Sequence, residues 1–138
     1  MATTTYLFFD GTCEDAFKFY ETVFGARTEA LIKYDQMPGG GQSPAPETIG
    51  KVMHGRLALG GTVLLASDVC PPGRYSKPQG FRVMHEVATV EDGKRIFDAL
   101  SQGGTVDMPY GETFWAKGFG MVTDRFGTPW MVNCGKPM

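Results

Sequence analysis

A short hairpin motif occurs twice in this chain, and the repeat constrains the fold more than any other feature. Residues 61–67 read GTVLLAS and return 66 positions later as residues 127–133, which read GTPWMVN. The same offset places residues 53–57 on residues 119–123. A chain that encodes one hairpin twice is predicted to contain two copies of a module. Chance similarity between short apolar strands is the alternative.

Turn and helix signals give both copies the same order of elements. A β run at 6–9 leads to an amphipathic helix with Thr12 as N-cap, Asp15 in the capping-box position and Gly25 as the stop. The other elements are strands at about 28–34, 52–59 and 62–67 in the first copy, and a strand at 83–90, a helix at 91–101 and strands at 105–108, 114–123 and 128–133 in the second.

The spacing between the copies is explained by one lengthened loop. The two helices match best at an offset of 77 and the hairpins at 66, a difference of 11 residues. The Pro/Gly-rich loop at 37–46 has about that length, and its composition favours a flexible spacer or a lid over a cavity. The sequence therefore predicts a single α+β domain with two β-α-β-β-β modules, over about 1–68 and 81–138, joined by a linker at about 69–80.

Composition excludes several classes of partner. The chain has 138 residues and a net charge of −2, without a run of lysine or arginine, which argues against nucleic acid or an anionic membrane. Its apolar stretches are shorter than the roughly 20 residues of a membrane span, and residues 1–10 lack the pattern of a signal peptide. Three cysteines without C-x-x-C spacing predict reduced thiols in a cytoplasmic protein. Cys13 begins a helix, where a thiolate is favoured.

Hairpin pairing predicts which side chains share a face of the sheet. If residues 60–61 form a two-residue turn, one face of the first hairpin carries His54, Arg56, Ala58, Val63, Leu65 and Ser67. In the second hairpin a two-residue turn at 126–127 puts Gly120, Val122, Met131 and Asn133 on the matching face. Apolar faces with a few polar groups are typical of small-molecule pockets. A simple interior hydrogen bond between His54 and Ser67 is the alternative interpretation.

The duplicated unit resembles the vicinal oxygen chelate superfamily, which includes glyoxalase I and the extradiol dioxygenases. Within it, the chain is similar to the PhnB-like proteins, also labelled demethylubiquinone methyltransferase-like. The motif comprises Glu112, Thr113, Phe114, Trp115, Ala116, Phe119, Gly120, Asp124, Phe126, Gly127, Trp130 and Asn133, and residues 6–11 and 52–54 also fit. The resemblance implies a glyoxalase/bleomycin-resistance-like fold, with a curved mixed sheet around a cavity, and a homodimer.

The resemblance also indicates where a metal would bind. Superfamily enzymes usually take one ligand from the first and one from the last strand of each module. On this chain the last-strand positions fall on Leu65 and Met131, and neither side chain can bind a hard divalent cation. The first-strand positions fall near residues 3–5 and on His85, which is expected to be an ordinary strand residue. We therefore expect no metal and no other cofactor.

The methyltransferase label lacks support in the sequence. S-adenosylmethionine is usually bound by a glycine-rich turn between a strand and a helix. Residues 39–41 are three glycines, but they lie in a Pro-rich loop with no apolar helix directly after them.

Two functions remain open, together with a third possibility that the dimer is structural and the cavity is filled by the protein's own side chains. The first is a metal-free homodimer that binds a small apolar, aromatic or anionic molecule through His54, Arg56, Leu65, Ser67, Trp115, Met131 and Asn133. Arg56 would anchor an anionic or quinone-like ligand. The second is a metal-dependent superfamily enzyme of lyase, isomerase or dioxygenase type, acting on a small carbonyl compound. Its acid–base candidates are Glu112 and His54, although Glu112 also fits a solvated loop residue, and Trp115 also fits core packing.

Overall fold

The computed structural model describes residues 2–36, 48–69 and 74–137 of the chain. These residues form two compact units, 1–76 and 77–138. The Pro/Gly-rich loop predicted at 37–46 lies outside the described residues. None of the helices in the described ranges is long and apolar enough to cross a membrane.

Unit 1 is a four-stranded mixed sheet with one helix. Its elements are β1 (Thr5–Phe9), α1 (Cys13–Phe24), β2 (Arg27–Lys33), a 3₁₀ turn (Tyr34–Gln36), β3 (Val52–Leu59) and β4 (Thr62–Asp68). The strand order is β1-β4-β3-β2. β1 runs parallel to β4, whereas the β2–β3 and β3–β4 pairs are antiparallel. The parallel pair is possible because α1 and β2 carry the chain across the sheet.

Unit 2 repeats this arrangement. Its elements are β5 (Val83–Glu86), α2 (Val90–Ser101), β6 (Thr105–Gly111), β7 (Ala116–Thr123) and β8 (Pro129–Gly135), with strand order β5-β8-β7-β6. The predicted α+β fold with two β-α-β-β-β modules is confirmed. Each unit has its own four-stranded mixed sheet.

The pairing predicted for the first hairpin is confirmed, and that for the second is wrong by one residue. In unit 1, Leu59 pairs with Thr62 across the Gly60–Gly61 turn. In unit 2, Thr123 pairs with Pro129, and Asp124 closes the longer loop by donating its backbone N–H to the carbonyl oxygen of Thr128 at 3.0 Å. Because strand side chains alternate, a shift of one residue moves every side chain of β7 to the other face.

Each helix packs against its sheet at a glycine. A Cβ atom added to Gly55 in β3 would lie 2.8 Å from Cε2 of Phe17 in α1. One added to Gly120 in β7 would lie 2.7 Å from Cε2 of Phe97 in α2. Both phenylalanines are buried, and each ring fits only because the strand residue that it contacts has no side chain. The helix-facing side of each sheet is thereby set.

The start of α1 is stabilised by a residue distant in sequence. The predicted capping box is wrong, because Thr12 is the N-cap but its side chain makes no capping hydrogen bond. The buried carboxylate of Asp68, at the end of β4, accepts from the backbone N–H of Cys13 at 2.9 Å and of Val52 at 2.8 Å. It thus joins β4, α1 and β3, and no local sequence pattern reports this connection.

The glycine contacts predict that alanine is destabilising at either position. We expect Gly55→Ala and Gly120→Ala each to lower the free energy of unfolding by roughly 1–3 kcal/mol, since the methyl group overpacks a buried ring. Urea unfolding measures this change. Gly111→Ala is the control, because no heavy atom lies within 4 Å of its added Cβ. Phe17→Leu should offset part of the loss in Gly55→Ala, and purely additive effects would contradict the proposed contact.

Candidate functional site

The face of the unit 1 sheet opposite α1 carries a mixed set of side chains, and we call it the helix-free face of unit 1. Across the strands, Tyr6 pairs with Leu65, and Leu65 with Arg56. Strand pairing and alternation place on it Tyr6, Phe8, Arg27, Ala30, Ile32, His54, Arg56, Ala58, Val63, Leu65 and Ser67. The six residues that the sequence analysis named for this face, His54, Arg56, Ala58, Val63, Leu65 and Ser67, therefore lie on it together.

Much of this face is apolar and accessible. Phe8 is 56% exposed, and Tyr6 and Ile32 are each 37% exposed. The rings of Tyr6 and Phe8 are 5.1 Å apart between centroids. Large exposed aromatic side chains that lie side by side mark a binding surface more often than single exposed residues do.

His54 is held by an aromatic neighbour and not by Ser67. Its Nδ1 lies 3.2 Å from the hydroxyl of Tyr6, and the two rings are 5.9 Å apart. The alternative interpretation, a hydrogen bond between His54 and Ser67, is therefore wrong, because His54 bonds Tyr6. This contact joins β3 to β1 across β4 on the helix-free face.

Arg56 belongs to an ion-pair cluster at the β2 edge. Its Nε donates to Glu29 Oε1 at 2.8 Å, and Nη2 of Arg27 donates to Glu29 Oε2 at 3.2 Å. The hydrogen bond from Arg56, followed by that from Arg27, lowers the pKa of Glu29. Glu29 is therefore an ionised partner for both guanidinium groups at neutral pH.

A cavity of about 630 Å³ adjoins this cluster. Its lining includes Arg27, Glu29 and Arg56 together with the apolar side chains of Ala58 and Val63. This cavity is open to solvent over much of its extent. This cavity therefore extends the helix-free face of unit 1 toward the β3–β4 turn.

The helix-free face of unit 2 has a different character. Its residues include Met84, Glu86, Met108, Phe119, Met121, Met131 and Asn133. Because of the register shift, the prediction of Gly120 and Val122 on this face is wrong: both belong to the α2 side, and Val122 is fully buried. The predicted residues Met131 and Asn133 do lie on it. Trp115 packs edge-on against Phe119 with ring centroids 5.4 Å apart.

Asn133 has an oriented carboxamide on this face. Its Nδ2 donates to Glu86 Oε1 at 2.8 Å, which fixes the amide orientation because an ionised carboxylate only accepts. Its Oδ1 is buried and has no hydrogen-bond partner among the described residues. The polar corner of unit 2 is therefore rich in acceptors.

Glu112 has the surroundings of a solvated loop residue. Its side chain is 71% exposed, and Oε2 pairs with Nζ of Lys136 at 3.1 Å. This is the alternative that the sequence left open. Asp124, in contrast, stabilises the turn between β7 and β8. Its buried carboxylate accepts from the backbone N–H of Phe126 and of Thr128, and from Nε1 of Trp130 at 2.8 Å.

The residues at the superfamily's metal positions do not suit a hard divalent cation. The first-strand positions expected near residues 3–5 and on His85 are wrong in register, because Leu65 pairs with Tyr6 in unit 1 and Met131 with Met84 in unit 2. Leucine has no donor atom, and thioethers are soft ligands. His85 pairs with the buried Val132 on the α2 side, where burial lowers the pKa of its imidazole. Among the described residues no three His, Cys, Asp or Glu side chains are grouped as metal ligands.

Cys13 is the first residue of α1, as the sequence predicted, but the expected thiolate character is wrong. The side chain is completely buried. Burial raises the pKa of the Cys13 thiol well above its ordinary value, and the charges of Asp68 and Glu14 raise it further. Asp68 also occupies the helix N-terminus that would otherwise favour a thiolate. Cys13 is therefore a protonated core residue.

Comparison with known proteins agrees with this architecture. Residues 4–132 match the family model described as the Glyoxalase/Bleomycin resistance protein/Dioxygenase superfamily. The chain belongs to this superfamily. The match spans both units, as expected when each unit is one copy of the module.

Similar proteins in this superfamily cover the whole chain. Protein YjdN of Escherichia coli is 38% identical, over 99% of this chain and 97% of its own length. The crystal structure of protein PA1353 from Pseudomonas aeruginosa is 40% identical, with a TM-score of 0.89 and 99% of each chain covered. The PhnB protein of Bacillus cereus is 25% identical, with a TM-score of 0.79 over 98% of this chain and all of that chain. The resemblance to PhnB-like proteins is confirmed.

The raised pKa of Cys13 predicts a loss of stability at alkaline pH. The folded state keeps the thiol protonated above the unfolded pKa of about 8.5, so the unfolded chain loses its proton first as pH rises. We expect the free energy of unfolding to fall by roughly 2 kcal/mol between pH 8.5 and pH 10 through this group. Cys13→Ala should remove that part of the decrease in urea unfolding series. An unchanged alkaline slope in this variant would contradict the assignment.

Proposed function

We propose that this protein binds a small apolar, aromatic or anionic molecule on the helix-free face of unit 1, without a metal cofactor, and that it acts as a cytoplasmic homodimer. The observation that carries the proposal is the run of exposed Tyr6, Phe8 and Ile32 beside His54 and Arg56. Apolar walls supply most of the binding energy of a small ligand, and a few polar groups orient it.

The individual side chains have distinct roles in this proposal. The ring of Tyr6 and the side chain of Leu65 form the floor for a flat ligand, because the two residues are strand partners. Tyr6 keeps the His54 imidazole in place through the hydrogen bond to Nδ1, so Nε2 is the nitrogen that meets the ligand. Arg56 provides the positive charge that anchors an anionic or quinone-like ligand.

Unit 2 offers a second apolar surface, and we assign Trp115, Met131 and Asn133 to ligand contact there. Met84, Met121 and Met131 form a flexible, polarisable face. Methionine-rich surfaces adapt to ligands of different shape. This favours tolerance of several aromatic ligands over strict selection of one.

An enzyme of the superfamily is the competing function. It requires a metal held by unrecognised ligands, or His54 and Glu112 as acid and base. The exposed position of Glu112 and its pairing with Lys136 favour a solvated role. Elemental analysis of the purified protein tests the metal-dependent form of the enzyme, because stoichiometric zinc, nickel, manganese or iron would support it.

Binding of an aromatic probe tests the proposal directly. We expect 2-naphthol to raise the melting temperature in a concentration-dependent way, since it binds only the folded state. Tyr6→Ala should weaken its Kd about tenfold, because an aromatic contact contributes roughly 0.5–1.5 kcal/mol beyond its buried area. Val106→Ala is the control, since Val106 is 46% exposed in unit 2. No rise with any member of a panel of aromatic compounds would refute the proposal.

The homodimer is supported by exposed aromatic residues in unit 2. Phe114 is 88% exposed, Trp115 is 46% exposed, and their rings form an edge-to-face pair. We expect sedimentation velocity to give twice the chain mass of 15.1 kDa. Phe114→Asp should shift the protein toward monomer, because a charge opposes burial at an apolar interface. A monomer at all accessible concentrations of the unaltered protein would contradict the assignment.

A further inference from the structure

We propose that the ligand of the helix-free face of unit 1 is an aromatic monocarboxylate, whose carboxylate is bound end-on by the two Nη groups of Arg56. This inference rests on the proposed function and specifies the ligand class. It assigns Glu29 and Arg27 as the residues that position Arg56.

The ion-pair cluster holds the Arg56 guanidinium in one orientation. Guanidinium is planar, with five N–H donors in a rigid fork. Glu29 engages only the Nε edge of Arg56, at 2.8 Å. Its other oxygen is anchored by Arg27 at 3.2 Å. Among the described residues, Arg56 has its ion pair through Nε, and its Nη1–Nη2 edge has no hydrogen-bond partner. That edge has the geometry to bind a carboxylate through two parallel hydrogen bonds.

The charge of the cluster matches one negative charge on the ligand. Two guanidinium groups share a single carboxylate, which leaves a net charge of +1. Arg56 and Arg27 lower the pKa of Glu29, so this balance persists at neutral pH. A monoanion neutralises the net charge of the cluster. The second negative charge of a dianion would be repelled by the carboxylate of Glu29 and would have no cation to compensate it.

The strand register sets the length of the ligand. Arg56 pairs with Leu65, and Leu65 with Tyr6, so the three side chains form one row across β3, β4 and β1. Neighbouring strands are about 4.8 Å apart, which places the backbones of Tyr6 and Arg56 roughly 10 Å apart. A ligand with its carboxylate on Arg56 and a bicyclic aromatic ring over Leu65 extends along this row toward Tyr6.

The cavity accommodates the charged end of such a molecule. It has a volume of about 630 Å³ and includes all three members of the ion-pair cluster in its lining. The side chain of Arg56 is 49% exposed, so its Nη edge is reachable from solvent. A purely structural clamp between β2 and β3 is the competing explanation for the cluster, and it predicts no selectivity among ligands.

Calorimetric titration with two matched probes tests the inference. 2-Naphthoate and 2-naphthalenemethanol share a ring system and differ in charge. We expect naphthoate to bind at least about tenfold more tightly at low salt, a preference that falls as ionic strength rises because the site is partly exposed. The unaltered full chain is used for this comparison.

Three variants assign the preference to the guanidinium of Arg56. Arg56→Ala should abolish the preference for naphthoate, and Arg56→Lys should keep only a small part of it, since an ammonium has the charge without the planar fork. Lys94→Ala is the charge-matched control, because Lys94 is an exposed residue of α2, and it should leave both affinities unchanged. Circular dichroism checks that each variant is folded. If Arg56→Ala or Arg56→Lys is not folded, Arg56→Gln is measured in its place.

The outcomes separate this inference from the function on which it rests. Equal binding of both probes, unaffected by the Arg56 variants, would overturn the carboxylate assignment and leave the aromatic-binding function intact. Failure of both probes to bind the unaltered chain would count against the proposed function itself. A preference for naphthoate that survives in Arg56→Ala and Arg56→Gln would place the anion elsewhere and overturn the assignment.

Discussion

The contact between a helix phenylalanine and a strand glycine determines the arrangement of both units. Phe17 occupies the space that a side chain on Gly55 would need, and Phe97 does the same at Gly120. Each contact decides which side of its sheet the helix covers. Since strand side chains alternate, it also decides which residues remain on the helix-free face. The candidate site is thus a consequence of packing on the opposite side of the sheet.

How accurately the sequence predicted which side chains share a face of the sheet depended on the lengths of the two hairpin turns. Gly60–Gly61 is a two-residue turn, so counting outward from it gave the correct partners in β3 and β4. In the second hairpin, the carboxylate of Asp124 binds the N–H groups of Phe126 and Thr128 and stabilises a loop one residue longer. The sequence predicted a two-residue turn at 126–127, and the difference of one residue was enough to exchange the faces of β7.

Local patterns predicted the candidate site in part, because its partners come from distant strands. His54 and Arg56 could be placed on one face by alternation alone. Tyr6 reaches His54 only through the parallel pairing of β1 with β4, and Glu29 reaches Arg56 beside an irregularity in β2 between Thr28 and Ala30. Neither connection has a local sequence signal. The same limit explains Cys13, whose position was predicted but whose environment depends on Asp68.

Comparison of the two modules shows which side of the sheet is alike in both copies and which side differs. The helix side keeps its glycine and its phenylalanine in both copies, because the helix cannot approach without them. On the helix-free side, corresponding positions differ in chemistry: the register aligns Tyr6 with Met84, and Arg56 with Met121. Packing does not require this divergence, since both faces belong to sheets of the same topology. The cation on the helix-free face of unit 1, where unit 2 has thioethers, is therefore the difference on which the proposed binding of a charged ligand at unit 1 rests.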